Sequence, residues 1–524
     1  MATRTESSRT SMRNFSAQET ERTKGLSMTQ IKHLIQESDS KISSLENEIA
    51  ALESESQIQI ATVTELRDRE QATCAALRSL VAPIRTLPVE LLAEIFVLSA
   101  QQSTPFYSSV STIKDAFRVS HVCGYWRQIA SGTPRLWARP IGVSVLRWNG
   151  RARSDELYAD GLRAWFARST PLSVPVVITG FWDIKSMPET GSRVTGELRR
   201  IASRWGTLQV MCQGILASFL MQLTAGVKLD SLEELDLPPI KADVPDFDPA
   251  VIVAFATAPR LRKLTMFLTY SLAIPMPWTQ LTDINVIDRR EPDLFLDIFA
   301  QCSNLVRASV RIEGWSVLPP ARSDITALDH LQFLTLTFSS KGVHVMPFFT
   351  RLSAPALDHL RLHMESHEGA QWDETTFTAF QLRAPNITRL EINGYGSRIE
   401  STALRAALIH APSLTHLSVD HCSHAIDDAL LRALHYTDDE QPLVPRLYSL
   451  SFINLTGNRL SEDLLASMLA SRWWSDVELA SRSRPPAVSR WSRLQFGGTT
   501  NSHLRFSQSF RDLTHELYPV RWYI

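Results

Sequence analysis

Apolar residues recur along this chain with three different spacings. From residue 28 to 82 they return every three to four positions. With heptad position a set at Ile35, a falls on Ile42, Ile49, Ser56, Val63, Glu70 and Leu77. Position d falls on Ser38, Leu45, Leu52, Gln59, Leu66, Thr73 and Leu80. Nine of these 14 positions are apolar, with a break from Ser56 to Gln59. No Pro or Gly interrupts the stretch, so it predicts one long helix with a coiled-coil stripe. Two arrangements are open: a homodimer through 28–82, or a single amphipathic helix folded onto the rest of the chain. Residues 1–27 are rich in Ser, Thr and Arg and poor in large apolar groups, which predicts a disordered tail.

The second spacing begins after Pro83. Pro88 opens a new helix, where its missing N–H costs nothing. "LPVELLAEIF" is apolar on more than one face, so something must cover it. "QQSTPFYSSVST" (101–112) reads as a polar loop. Helical spacing resumes with Ile113, Ala116 and Phe117, then Val122, Trp126 and Ile129, and Gly132 and Pro134 stop it. The segment 83–143 thus predicts three short helices, a unit small for an independent core.

The third spacing fills 144–524. "WGTLQV" at 205 is followed by "LEELDL" at 232, "LRKLTM" at 261, "LTDINV" at 281, "LVRASV" at 305 and "LQFLTL" at 331. Then come "LDHLRL" at 357, "ITRLEI" at 387, "LTHLSV" at 414 and "LYSLSF" at 447. All fit LxxLxL with other apolar residues admitted. Nine steps over 242 residues give a mean period of about 27, inside the leucine-rich-repeat range. Ala-Pro precedes four of the motifs, at 258, 354, 384 and 411. In a strand, positions 4 and 6 of each motif face one core and position 5 faces away. One unit cannot bury that row alone, but stacked units can. The expected architecture is α/β: a leucine-rich-repeat solenoid with parallel strands on its concave face and helices outside, closed by a C-terminal cap. The cap reading rests on Trp473, Trp474 and Trp491; an exposed aromatic contact site is the alternative.

Composition narrows the function. The net charge is −1 and the pI about 6.9, which argues against a nucleic-acid binder because phosphate neutralisation needs a basic surplus. Five scattered cysteines without a CxxC pair suit a reducing compartment. No 18-residue apolar run predicts a membrane span. The first residues have no signal-peptide core. A cytoplasmic or nuclear protein is expected. GxSxG, GxxxxGK[ST] and HExxH are absent, so the sequence points to a binding protein, not an enzyme, with no cofactor. His421, Cys422 and His424 resemble a metal-ligand cluster, but Cys422 occupies the bend position of its repeat, and no metal is expected. Among the outward strand positions, Arg307, Arg311, Phe333, His359, Arg361, His363, Arg389, Glu391 and His416 are the candidate contacts. They form a mixed, mildly basic surface suited to a polar or acidic protein segment.

Residues 87–143 can be compared with a known family. Leu87-Pro88, Glu90-Leu91-Leu92, Ile95-Phe96, Val122-Cys123, Trp126, Ile129-Ala130, Pro134 and Leu136-Trp137 resemble an F-box, in the F-box-like form common in mushroom-forming fungi. The motif array after it is similar to the F-box/leucine-rich-repeat arrangement. That resemblance implies a substrate-recognition subunit of an SCF-type cullin–RING ubiquitin ligase, docking on a Skp-type adaptor and holding a protein substrate on the repeats. Carried over to this sequence, Leu87, Pro88, Leu91, Leu92 and Ile95 match the adaptor-contacting stretch. Trp126 and Trp137 match an aromatic pair that is part packing and part interface. The alternative is a scaffold whose F-box-like segment packs internally and recruits no ligase.

Overall fold

The computed structural model describes residues 25–100, 109–144, 152–179, 193–211, 215–241, 248–267, 274–287, 292–320, 324–339, 344–365, 372–394, 399–455, 460–482, 484–498 and 520–523. The chain divides into two compact units, Met1–Leu92 and Ala93–Ile524. Most of the tail predicted to be disordered, residues 1–24, lies outside the described residues.

The first unit is dominated by α1, Met28–Leu80. Ser27 starts it with a capping box: its hydroxyl accepts from the Gln30 amide, and the Gln30 side chain accepts from the Ser27 amide. This reciprocal pairing satisfies two groups that a helix start otherwise leaves open. The stripe residues Ile35, Ile42, Leu45, Ile49, Leu52, Val63, Leu66 and Leu77 are all exposed. Helix α2, Val89–Ser99, follows the short turn Pro83–Thr86 and runs across the division between the units.

The second unit continues with α3 (Ser109–Ser120) and α4 (Gly124–Ser131). Helix α3 begins at Ser109, earlier than the predicted resumption at Ile113. The remainder of the predicted loop, 101–108, lies outside the described residues. The four-residue helical turn Pro134–Trp137 closes this part.

A parallel sheet of 14 strands then accounts for most of the unit. In chain order these are β1 Ile141–Ser144, β2 Val174–Thr179, β3 Trp205–Met211, β4 Glu234–Leu237, β5 Lys263–Phe267, β6 Asp283–Ile287 and β7 Arg307–Glu313. Then follow β8 Phe333–Ser339, β9 His359–Met364, β10 Arg389–Asn393, β11 His416–Asp420, β12 Ser449–Leu455, β13 Arg493–Gly498 and β14 Val520–Tyr523. Each strand pairs with the next in sequence. Between strands the chain returns through helices or turns. Successive helices Pro347–Thr350, Glu374–Leu382, Ser401–Ile409, Asp428–Leu434 and Glu462–Ser471 touch one another in order. This is a solenoid-like repeat fold.

The register explains the sequence pattern. Position 4 of the motifs aligns Leu235, Leu264, Ile284, Ala308, Leu334, Leu360, Leu390, Leu417, Leu450 and Leu494 across neighbouring strands. All are buried. One backbone device repeats beside them. The carbonyl of motif position 2 takes two consecutive amides of the next unit. Thr282 accepts from Val306 and Arg307, Gln332 from Asp358 and His359, and Thr388 from Thr415 and His416. A carbonyl has two lone pairs, so both amides are satisfied by one oxygen.

The Ala-Pro flanks also have a physical reason. Ala258, Ala354, Ala384 and Ala411 are buried. The carbonyls of Ala258, Ala354 and Ala411 accept from the amide of the leucine that opens the motif, with Pro in the second turn position that suits its fixed φ. Arginines tie adjacent units in three places. Arg204 donates to the Leu172 and Phe166 carbonyls, Arg383 to Leu352 and Phe349, and Arg472 to Leu443 and Val444. Arg472 is wholly buried, which pushes its guanidinium down to about 10, and it lies over the Trp491 ring.

Two readings of the sequence change here. The sheet holds four strands beyond the ten motifs: β1, β2, β13 and β14. Trp491, Leu494 and Phe496 complete one more motif, with Trp in the first position, and two strands lie past Trp474. Trp474 and Trp491 are therefore interior residues between units rather than a cover for the last layer. Added bulk at the buried alanines should not be tolerated. Ala384→Leu should destabilise the fold by about 1–3 kcal/mol through overpacking. Its thermal midpoint should fall clearly below wild type, and an unchanged midpoint would count against this account of the turn.

Candidate functional site

The F-box-like stretch is built around a sorted helix. On α2, Leu91 is 52% exposed, Ile95 42% and Leu98 57%, while Leu92 and Phe96 are at most 1% exposed. Positions 91, 95 and 98 lie on one helical face by the 3.6-residue period. Pro88 is exposed and Leu87 half-buried. A helix this apolar in both directions is half core and half uncovered surface. Leu92 and Trp137 correct the expectation drawn from the resemblance: both are buried, so neither reaches a partner in this conformation.

Within the second unit the opposite side of the helix is held by aromatic packing. Phe96 meets the half-buried Trp126 ring at 4.8 Å. Trp137 donates its indole N–H to the Ala130 carbonyl at 2.6 Å, stacks edge-on against Trp165 at 5.0 Å, and carries the Arg168 guanidinium over its face at 4.7 Å. Trp165 belongs to the helix Ala152–Arg168, between β1 and β2. Trp137 therefore anchors this part to the start of the sheet. Arg135 and Glu94 form an exposed ion pair. Val122, which the helical spacing groups with Trp126 and Ile129, is exposed, and so is Tyr125 of α4, which the sequence pattern does not single out.

The second candidate surface is the outward row of the sheet. Cross-strand pairing sorts its charges. Lys263 is paired with Glu234, and Arg307 lies 3.6 Å from Asp283. The Arg307 guanidinium also sits 4.0 Å over the Phe333 ring, and Phe333 meets His359 at 6.0 Å. His359 and Arg361 converge on Glu391, at 2.9 Å and 2.6 Å. The hydrogen bond from His359, followed by the charge of Arg361 acting against burial, holds the Glu391 carboxyl below its usual range. Asp283, Arg307, Phe333, His359 and Arg361 line a hollow of about 470 Å³. Arg311 is paired with Glu365 at 2.6 Å.

Five of the nine candidates (Arg307, Phe333, His359, Arg361 and Glu391) form one contiguous cluster. Its acids largely neutralise it, so it is not the basic groove expected. The uncompensated part lies further along. Among the described residues, Arg389 and Arg493 make no ion pair. His416 stands between Arg389 and Ser449 in the register and packs edge-on against Tyr448 at 4.9 Å. Burial, then the charges of Arg389 and Arg493, push its pKa down. His363 is also pushed down, by burial and then Arg361. Both shifts favour the neutral imidazole. Arg493 was missed because the segment after Trp474 was read as a terminal cap, and Tyr448 because the second position of its motif was not taken as part of the outward row.

Two buried cysteines, Cys302 and Cys422, serve structure. Cys422 is buried and donates its thiol to the Asp420 carbonyl at 3.2 Å, at the bend expected for it, where His421 takes a positive φ. Burial pushes the Cys302 thiol up to about 12, far from thiolate reactivity. Among the described residues no helix is long and apolar enough to cross a membrane.

Comparison with known proteins gives one family match: residues 84–141 match the F-box-like family. No curated protein matches the chain. Among solved structures, the yeast Rad7 and Elc1 complex has 13% identity and a TM-score of 0.36, covering 74% of this chain and 93% of that one. The TLR13–ssRNA13 complex has 12% identity and a TM-score of 0.27, covering 64% and 47%. Neither likeness is close enough to carry function.

The buried and exposed faces of α2 should separate cleanly by mutation. Phe96→Ala removes a buried ring and should cost about 3–5 kcal/mol of stability. Ile95→Ala should stay within about 1 kcal/mol of wild type. Thermal unfolding of the two variants checks this, and equal losses would contradict the assigned faces.

Proposed function

We propose that this chain is the substrate-recognition subunit of an SCF-type cullin–RING ubiquitin ligase. The observation that carries the reading is the uncovered apolar face of α2 inside the F-box-like match at 84–141. Leu91 and Ile95 dock on the Skp-type adaptor, with Pro88 and the half-buried Leu87 beside them and Trp126 supporting from behind. Burying the exposed half of each aliphatic side chain contributes on the order of 1 kcal/mol. The sheet holds a protein substrate on its outward row. The protein performs no chemistry itself. It raises the concentration of its substrate near a ubiquitin-loaded enzyme, a proximity effect. An internally packed F-box-like scaffold fits less well, because such a scaffold would cover Leu91 and Ile95.

Wild-type chain should co-purify with the Skp-type adaptor. The Leu91→Asp/Ile95→Asp variant places two charges where an apolar contact forms, and adaptor binding should fall by at least about 100-fold. Both positions are exposed, so circular dichroism and the thermal midpoint should match wild type. Equal recovery of adaptor by both proteins, or none by wild type, would overturn the proposal. For the substrate surface, Arg389→Glu/Arg493→Glu should release captured substrate while leaving the adaptor bound. Retention of the same captured proteins at physiological salt would remove the outward row from that role.

A further inference from the structure

Among the described side chains, helix α1 leaves its apolar stripe from Ile35 to Leu77 exposed, whereas helices in proteins draw most of their stability from packing such a face. We propose that α1 pairs in antiparallel orientation with α1 of a second copy of this chain, in the register that sets Ser56 opposite Gln59 of that copy. The proposal is independent of the ligase reading and adds an assembly to it.

The argument begins with what a parallel, in-register pair would bring together. Position a contains Glu70, and in such a pair it would face its own copy across the core. Glu48 at position g would meet Glu53 at position e of the other chain. Only Lys41 with Glu46 would attract. Ser56 and Gln59 would form two separate polar layers, each facing itself. Like charges held together at a helix seam are destabilising, and polar layers in a seam cost stability.

Reversing one helix changes each of these. Position a then faces position d. With Ser56 opposite Gln59, the two polar layers merge at the centre of the dimer, where hydroxyl and amide can hydrogen-bond each other. Moving outward, Ile49 faces Leu66 and Leu52 faces Val63. The two Glu70 residues separate to opposite ends, each near Leu45. On the flanks, Glu46 comes beside Arg67 and Glu48 beside Arg69. No like-charged pair falls at the e or g positions. Arg67 already meets Asp68 of its own helix at 2.6 Å, and its guanidinium has donors for both. The net effect follows from an uneven distribution: the e and g positions from 39 to 55 hold five acids and one base, and those from 60 to 74 hold two bases and no acid. β-branched residues at a with leucine at d also suit a parallel pair. The same residues still give Ile–Leu layers when reversed, so the charged and polar positions decide. An overlap of this length is about 70 Å. It sends the two chains out of the coil at opposite ends.

Sedimentation equilibrium of the full chain should give a dimer at micromolar concentration. A monomer up to tens of micromolar would overturn the pairing, and so would a dimer that survives Leu45→Asp/Leu66→Asp. Orientation is read by disulfide trapping in full chains carrying Cys74→Ser. Differently tagged Leu52→Cys and Val63→Cys chains, mixed and oxidised, should give the mixed cross-link, and Leu52→Cys alone should give none. Homotypic cross-links alone would establish a parallel pair and overturn the orientation. Arg67→Glu/Arg69→Glu should weaken dimerisation by about tenfold, with helix content unchanged, and adding Glu46→Arg/Glu48→Arg should restore it. Failure of that restoration would refute the register.

Discussion

One oxygen per unit sets the geometry on which the rest depends. The carbonyl at motif position 2 accepts two consecutive amides from the next unit, as Thr282, Gln332 and Thr388 show. That locks each strand in register with its neighbour. A slip of one residue would turn every leucine outward and every charge inward. With register fixed, position 4 leucines stack into one buried row and position 5 residues into one exposed row. Both the core and the candidate substrate surface are consequences of this single repeated bond pattern.

The F-box-like part works by a different logic. It is too small to hide all of its apolar side chains. Phe96 and Trp137 use one side to build a core that reaches Trp165 and the beginning of the sheet. Leu91 and Ile95 remain uncovered on the other. Helix α1 carries the same imbalance over a much longer stripe. In both places the protein presents apolar surface that a second chain can cover, and in both the charged or polar residues around it determine which chain fits.

Much of the fold was legible because LxxLxL reports alternation directly. The strands from Trp205 to Leu455 follow the motif residue by residue. Strands β1, β2 and β13 were not read, although Ile141 and Val143, Val176 and Ile178, and Leu494 and Phe496 alternate in the same way. Their first motif position holds Trp491 or no large aliphatic residue, and alternation over four to six residues is a weak signal by itself. The candidate sites were legible only as residue types. Nothing in the sequence says that Glu391 neutralises His359 and Arg361, because that contact joins residues 30 and 32 positions apart through strand pairing. Nor does a helical period say which of two apolar faces is inside. Leu92 and Leu91 are neighbours of one type, and only packing sends the first in and leaves the second out.

The central claim is that the exposed face of α2 is an adaptor-binding surface. Calorimetric titration of the purified full chain with a purified Skp-type adaptor tests it most directly. The account predicts one-to-one binding with a negative heat-capacity change, the mark of apolar burial, and its loss on Leu91→Asp/Ile95→Asp. Absence of binding, or binding of equal strength by the substituted chain, would contradict it.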